Sequence, residues 1–253
     1  MNKSISTLLG RASVNVKTAT EKFVKKLVPI CGDNLQSIIV YGTIVKVPET
    51  HHSEINLMIV LDEVHVDSLD AIDKCRPSKD ADIRIEPMVL TASDLRSSTD
   101  VFPLKFLDIQ QNHLVLYGRD VMQDLTIKHD HIRLRSEQEL KNLMLRLRWF
   151  YLRDRNEPKR LKTTLAHAAV TFLGSATGLL WLKRNDVPKA LEEVARKVCE
   201  EFQIEEDLIV SLLALDQDDN GLGIEEVTTL YDEFMQIVQR AAHTLDSHEP
   251  SGD

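Results

Sequence analysis

The spacing of apolar positions along the chain changes period twice, and those changes delimit the predicted elements. Val16, Ala19, Phe23, Val24 and Leu27 recur at helical intervals, so a helix is expected over 14–28, stopped by Cys31-Gly32-Asp33-Asn34. Leu35–Tyr41 and Ile55–Leu61 are rich in β-branched residues and read as two buried strands. Val66–Cys75 returns to a helical pattern. Ile83–Leu90 reads as a third strand that places Asp82, Arg84 and Glu86 on one face and Ile83 and Ile85 on the other. Thr91-Ala-Ser-Asp94 has the form of a capping box and predicts a helix start. Phe102–Asn112 follows as a helix, and Leu114–Tyr117, closed by Gly118, as a short last strand.

Beyond Asp124 only the helical period remains. Glu137–Asp154 carries Leu140, Leu143, Met144, Leu147, Phe150 and Tyr151 on one stripe, with Arg146 and Arg153 off it. Pro158 suits the first position of a helix running to about Arg184. Further helices are expected from Asn185-Asp186-Val187-Pro188 to Phe202, over Glu205–Leu215 and over Ile224–Leu245. The expected fold class is α+β: residues 1–124 form a small mixed sheet covered by helices, 125–247 a helical bundle, and 248–253 a disordered tail.

Composition narrows the function classes. Of 253 residues, 43% are hydrophobic and 28% charged, as in ordinary globular chains. The most apolar stretch, Leu165–Leu182, is interrupted by His167, two Thr, Ser and two Gly, so no membrane span is expected. No secretion signal is evident, and Cys31, Cys75 and Cys199 are scattered and odd in number. Reduced thiols and a cytoplasmic location are therefore expected. The net charge of −9 argues against bulk nucleic-acid binding. Its distribution is uneven: Arg133–Lys162 has ten Lys/Arg against four Asp/Glu, whereas Asp186 to the end has four against eighteen. The basic segment either attracts a phosphate-bearing ligand or forms a solvated face paired with the acidic end.

The chemistry-bearing stretch is Ile38–Leu61. An apolar strand ends in Gly42-Thr43, ten residues follow, and Glu54-Ile55-Asn56 opens the next strand. A glycine permits close backbone approach to phosphate, and oxygen side chains at i and i+2 on a strand share a face where they can hold a hard cation. In this arrangement the chain resembles the nucleotidyltransferase superfamily, the Pol-beta-like fold that includes kanamycin nucleotidyltransferase. The signature there is a hydrophobic residue, Gly, Gly or Ser, some ten residues, then Asp/Glu-x-Asp/Glu. Tyr41-Gly42 matches, Thr43 stands where Ser is usual, Glu54 matches loosely and Asn56 departs from it. The segment Phe102–Asp120, with Leu116-Tyr117-Gly118, is similar to that superfamily's strand-closing segment and extends the resemblance over about the first 120 residues.

The resemblance implies three carboxylates, two Mg²⁺ ions and a nucleoside triphosphate as substrate or ligand. Carried onto this chain, Glu54, Asn56 and Glu86 are the candidate catalytic residues. Gly42, Thr43 and Arg84 are the candidate nucleotide-binding residues, and Glu54, Asn56, Asp82 and Glu86 the candidate metal ligands. Asn56 offers an oxygen without charge, and Arg84 is a cation between Asp82 and Glu86, able to stand in for a metal or to pair with Glu54 and Glu86. The reading is a degenerate nucleotidyltransferase-fold protein binding a nucleotide in an interdomain cleft, with Arg146 or Arg153 on its second wall. If active, it transfers a nucleoside monophosphate to a small molecule or protein. A non-catalytic sensor or partner-binding module, alone or as a homodimer, is the alternative. A third class follows from Arg160 and His167, whose spacing is similar to the Arg-x4–6-His motif of HEPN ribonucleases.

Three lesser patterns read as structural. Asp216-Gln-Asp218-Asp-Asn220-Gly221 begins like an EF-hand loop, but Val227 stands at the twelfth position, where a bidentate Glu is needed. Gly174-x3-Gly178 reads as close helix packing. His51 and His52 read as loop residues.

Overall fold

The computed structural model describes residues 4–78, 80–184, 188–215 and 221–246. The EF-hand-like run up to Asn220, the helix start at 185–187 and the tail 248–253 lie outside them. The chain divides into two compact units, Met1–Ile127 and Lys128–Asp253.

The first unit contains α1 (Ile5–Leu8), α2 (Val14–Cys31), a 3-10 turn (Gly32–Asn34), β1 (Leu35–Tyr41), α3 (Thr43–Lys46), β2 (Glu54–Leu61), α4 (Val66–Cys75), β3 (Arg84–Thr91), α5 (Ala92–Ser97), α6 (Pro103–Gln111) and β4 (His113–Gly118). The strands form one sheet in the order β3-β2-β1-β4. β1 is antiparallel to β2 and β4, whereas β2 and β3 are parallel, the crossover between them being α4. This is the mixed sheet the sequence predicts. Ile55, Leu57, Ile59 and Leu61 of β2 and Ile38 and Val40 of β1 enter a core with Val16, Phe23, Val24 and Leu27 of α2 and Ile72 of α4. Ile39, Met58 and Val60, on the opposite face, are fully buried as well. The two central strands are thus covered on both sides, which is why they read as near-continuous apolar runs.

α2 runs through Pro29 to Cys31, three residues past the expected end, and Gly32 stops it at φ 50. The capping box at Thr91 forms as expected: Asp94 N–H donates to Thr91 Oγ1, and Thr91 N–H donates to Asp94 Oδ2. Thr91 N–H and Thr91 Oγ1–H, both donating to Asp94 Oδ2, hold that carboxyl below its ordinary value. Gly118 ends β4 at φ 76 with its backbone against Gln36, leaving no room for a side chain.

The second unit is helical throughout: α7 (His129–Asp154), α8 (Pro158–Arg184), α9 (Leu191–Phe202), α10 (Glu206–Ala214) and α11 (Ile224–Asp246). α7 begins eight residues earlier than the apolar stripe indicates. Ile132 and Ser136 extend the buried stripe Leu140, Leu143, Leu147 backwards, and the polar Ser136 hides that continuation in the sequence. α8 is the central helix, burying Leu161, Leu165, Ala169, Phe172, Ala176 and Leu180 against α7, α9, α10 and α11. By length and composition α8 could cross a bilayer, contrary to the sequence reading, yet 61% of its apolar window is buried inside the structure. Tyr231 of α11 is fully buried and donates its hydroxyl to Leu147 O at 2.8 Å. Gln203 closes α9 in the left-handed region at φ 53, with Ile204 N–H returning to Cys199 O.

Candidate functional site

The parallel register of β2 and β3 sets Glu54 against Arg84 and Asn56 against Glu86. The antiparallel register of β1 sets Asn56 against Tyr41, and Tyr41 in turn faces His113 of β4. Directly paired residues share a sheet face. Four polar side chains, His113, Tyr41, Asn56 and Glu86, therefore form one row across all four strands, and Glu54 and Arg84 form a second short row beside it. The alternation of β2 is the local cause, since Ile55 and Leu57 go into the core and force Glu54 and Asn56 out of it.

Gly42 closes β1 with φ 86 and ψ −153, a conformation that L side chains avoid, and begins α3 as its N-cap. A Cβ built there would lie 3.6 Å from Asn56 Nδ2, so the glycine and the amide are neighbours. Thr43, the first residue of α3, is exposed. Tyr41 is half-buried, and its phenol is pushed up, first by burial and then by the Glu54 charge.

Both carboxylates in these rows are matched by arginines. Arg84 Nη2 meets Glu54 Oε2 at 3.4 Å, and Arg76 Nη2 meets Glu86 Oε1 at 3.4 Å. Arg84 pairs with Glu54 as anticipated, but Glu86 is held by Arg76, a residue the sequence reading passed over. Arg76 sits at the C-cap of α4, donates Nε to Ile85 O of β3 at 2.9 Å and also reaches Asp73. Asp82 lies before β3 and lines a groove against α2.

The donor set does not fit two Mg²⁺ ions. Of its three inner members, Glu54 and Glu86 each already carry a guanidinium, and Asn56 brings no charge, whereas Mg²⁺ binding leans on carboxylate charge. Among the described residues, no three His, Cys, Asp or Glu side chains come together in a way that could hold a metal. His52 instead contacts Val47 O at 2.9 Å and Thr50 Oγ1 at 3.1 Å within its loop.

The other candidates lie in the second unit. Arg160 is paired with Asp154 Oδ1 at 3.6 Å and Glu157 Oε2 at 3.0 Å, so its guanidinium is engaged in ordering the α7–α8 turn. His167 is exposed one helical stretch further along α8. Arg153 stacks 4.8 Å from both the Trp149 and Phe150 rings and pairs with Asp154, and Arg146 lies 5.8 Å over Phe150. Part of the basic segment is paired within α7, as in Arg133–Glu137 and Arg135–Glu139.

The chain matches no protein-family model and no curated protein. Among solved structures it is similar to that of spectinomycin adenyltransferase AAD(9) from Enterococcus faecialis, determined with ATP and spectinomycin. The TM-score is 0.54 at 13% identity, covering 88% of this chain and 98% of that one. The fold is nucleotidyltransferase-like. At that identity the likeness concerns the fold, and the chemistry rests on the residues described above.

Proposed function

We propose that the chain is a degenerate nucleotidyltransferase-fold protein that binds a nucleotide on the β2–β3 face without two-metal transfer. The observation that carries this reading is the pairing of both strand carboxylates with arginines, Glu54 with Arg84 across the β2–β3 register and Glu86 with Arg76 at the end of α4. An arginine standing in for a metal ion keeps the positive field that phosphates need, and its planar fork suits phosphate oxygens. Arg84 is more than half exposed, and exposed ion pairs are weak, so it can turn from Glu54 to a phosphate at little cost. Gly42 lets that phosphate approach the backbone. The ATP in the similar adenyltransferase supports a nucleotide as the ligand class.

The test is ATP binding by calorimetry with Mg²⁺ and with a chelator. Binding indifferent to chelation and lost in Arg84→Ala is expected. Binding that requires Mg²⁺, together with nucleoside monophosphate transfer abolished by Glu54→Ala, overturns the reading in favour of an active Mg²⁺-dependent transferase. A ribonuclease centred on His167 is disfavoured by the engagement of Arg160 with Asp154 and Glu157.

A further inference from the structure

We propose a second, separate ligand site in the first unit, a groove between α2 and the segment leading into β3, built for a phosphorylated small molecule. The groove has a volume of about 440 Å³, within the range of small-molecule pockets. One wall comes from α2, where Thr18, Lys22 and Lys26 recur at helical spacing along one face. The other wall contains Arg76 and Ser78, and Phe23 and Ile83 supply an apolar floor. The single carboxylate is Asp82.

Charge decides the ligand class. Lys22, Lys26 and Arg76 line the groove with one carboxylate, Asp82, but Arg76 is offset by Glu86 and Asp73, so the positive charge on offer is that of the two lysines. Arg76 is held by Glu86, Asp73 and Ile85 O, which fixes this wall of the groove. Lys22 and Lys26, by contrast, form no ion pair among the described residues. Ammonium groups without carboxylate partners beside hydroxyl donors and an apolar floor suit a phosphate attached to a compact organic body. The overall negative charge disfavours a long polyanion, which would have to lie beyond the groove. Arg76 also joins this groove to the strand face, since the same side chain holds Glu86.

The groove site does not depend on the strand-face reading, and one experiment separates them. Binding of AMP and of inorganic pyrophosphate is measured by calorimetry in chelator for the full chain, for Arg84→Ala, which removes the strand-face contact, and for Arg84→Ala carrying Lys22→Gln and Lys26→Gln as well. Both lysines are exposed on α2 and the substitutions leave the core untouched, which unchanged circular dichroism and urea midpoints check. Arg84→Ala retains binding of both probes at the groove, and loss of two charge-assisted contacts weakens that binding by about tenfold or more in the triple variant. Absence of binding of either probe to Arg84→Ala at millimolar concentration overturns the groove site, as does binding that survives undiminished in the triple variant. Binding by the full chain that is lost altogether in Arg84→Ala removes the groove site and leaves the strand-face reading standing.

Discussion

Glu54 and Arg84 stand directly opposite one another in the parallel β2–β3 register, and Arg84 Nη2 approaches Glu54 Oε2 to 3.4 Å. Both side chains are substantially exposed, so solvent screening keeps the pair's contribution to stability under about 1 kcal/mol. Arg84→Ala is therefore expected to leave the urea unfolding free energy nearly unchanged while nucleotide affinity falls. A large loss of stability with intact affinity would show the arginine to be structural.

Asn56 lies between Tyr41 and Glu86 in the polar row, with Glu54 two residues before it. Asn56→Asp combined with Arg84→Ala adds a carboxylate and removes one compensating cation. The double variant is expected to bind divalent ions more tightly than the parent, because Mg²⁺ affinity tracks ligand charge. Calorimetric titration with Mg²⁺ reads this directly. Equal Mg²⁺ affinity in parent and variant contradicts the account of the altered acidic motif.

Gly42 and Gly118 both have positive φ, but their surroundings differ. A Cβ at Gly118 would lie 1.9 Å from Gln36 O, a backbone atom that cannot move without breaking the β1–β4 pairing. At Gly42 it meets only Asn56 Nδ2, at 3.6 Å. Gly42→Ala thus costs conformational strain of about 1–3 kcal/mol. Gly118→Ala adds a backbone clash and is expected to exceed about 4 kcal/mol. Urea denaturation of the two variants orders them, and a Gly118→Ala protein as stable as Gly42→Ala would contradict this geometry.

The elements were legible where local periodicity controls them. β1 and α4 have the expected ends, β2 and β3 shift by one residue, and the Thr91 cap forms with its Asp94 partner. α1 and α3, of four residues each, are too short to show a period. The site was half legible. Strand parity placed Glu54 with Asn56 and Arg84 with Glu86, but parity cannot give register, and register decides which carboxylate meets which cation. Arg76 escaped for the same reason: it is a helix-terminal residue whose partners, Ile85 O and Glu86, lie on the following strand. Asp154 read as an ordinary helix end, yet it is fully buried.

The arginine contacts of this carboxylate give the second unit a definite acid response. Arg153 Nε donates to Asp154 Oδ1 at 2.8 Å and Oδ2 at 2.9 Å, and Arg160 adds an ion pair. The Arg153 hydrogen bonds are the main reason the Asp154 carboxyl is held below its ordinary value of 3.8. A depressed folded-state value means that the unfolded chain takes up the proton first. The stabilisation is fully present above 3.8 and is lost as pH falls through the lower folded value. Asp154→Asn removes the charge and leaves both arginines half-exposed and solvated. The variant is expected to have a lower urea midpoint near neutral pH, with the gap to the parent closing in acid. A gap that persists unchanged at low pH would mean that the loss arises from packing around residue 154 and not from its charge.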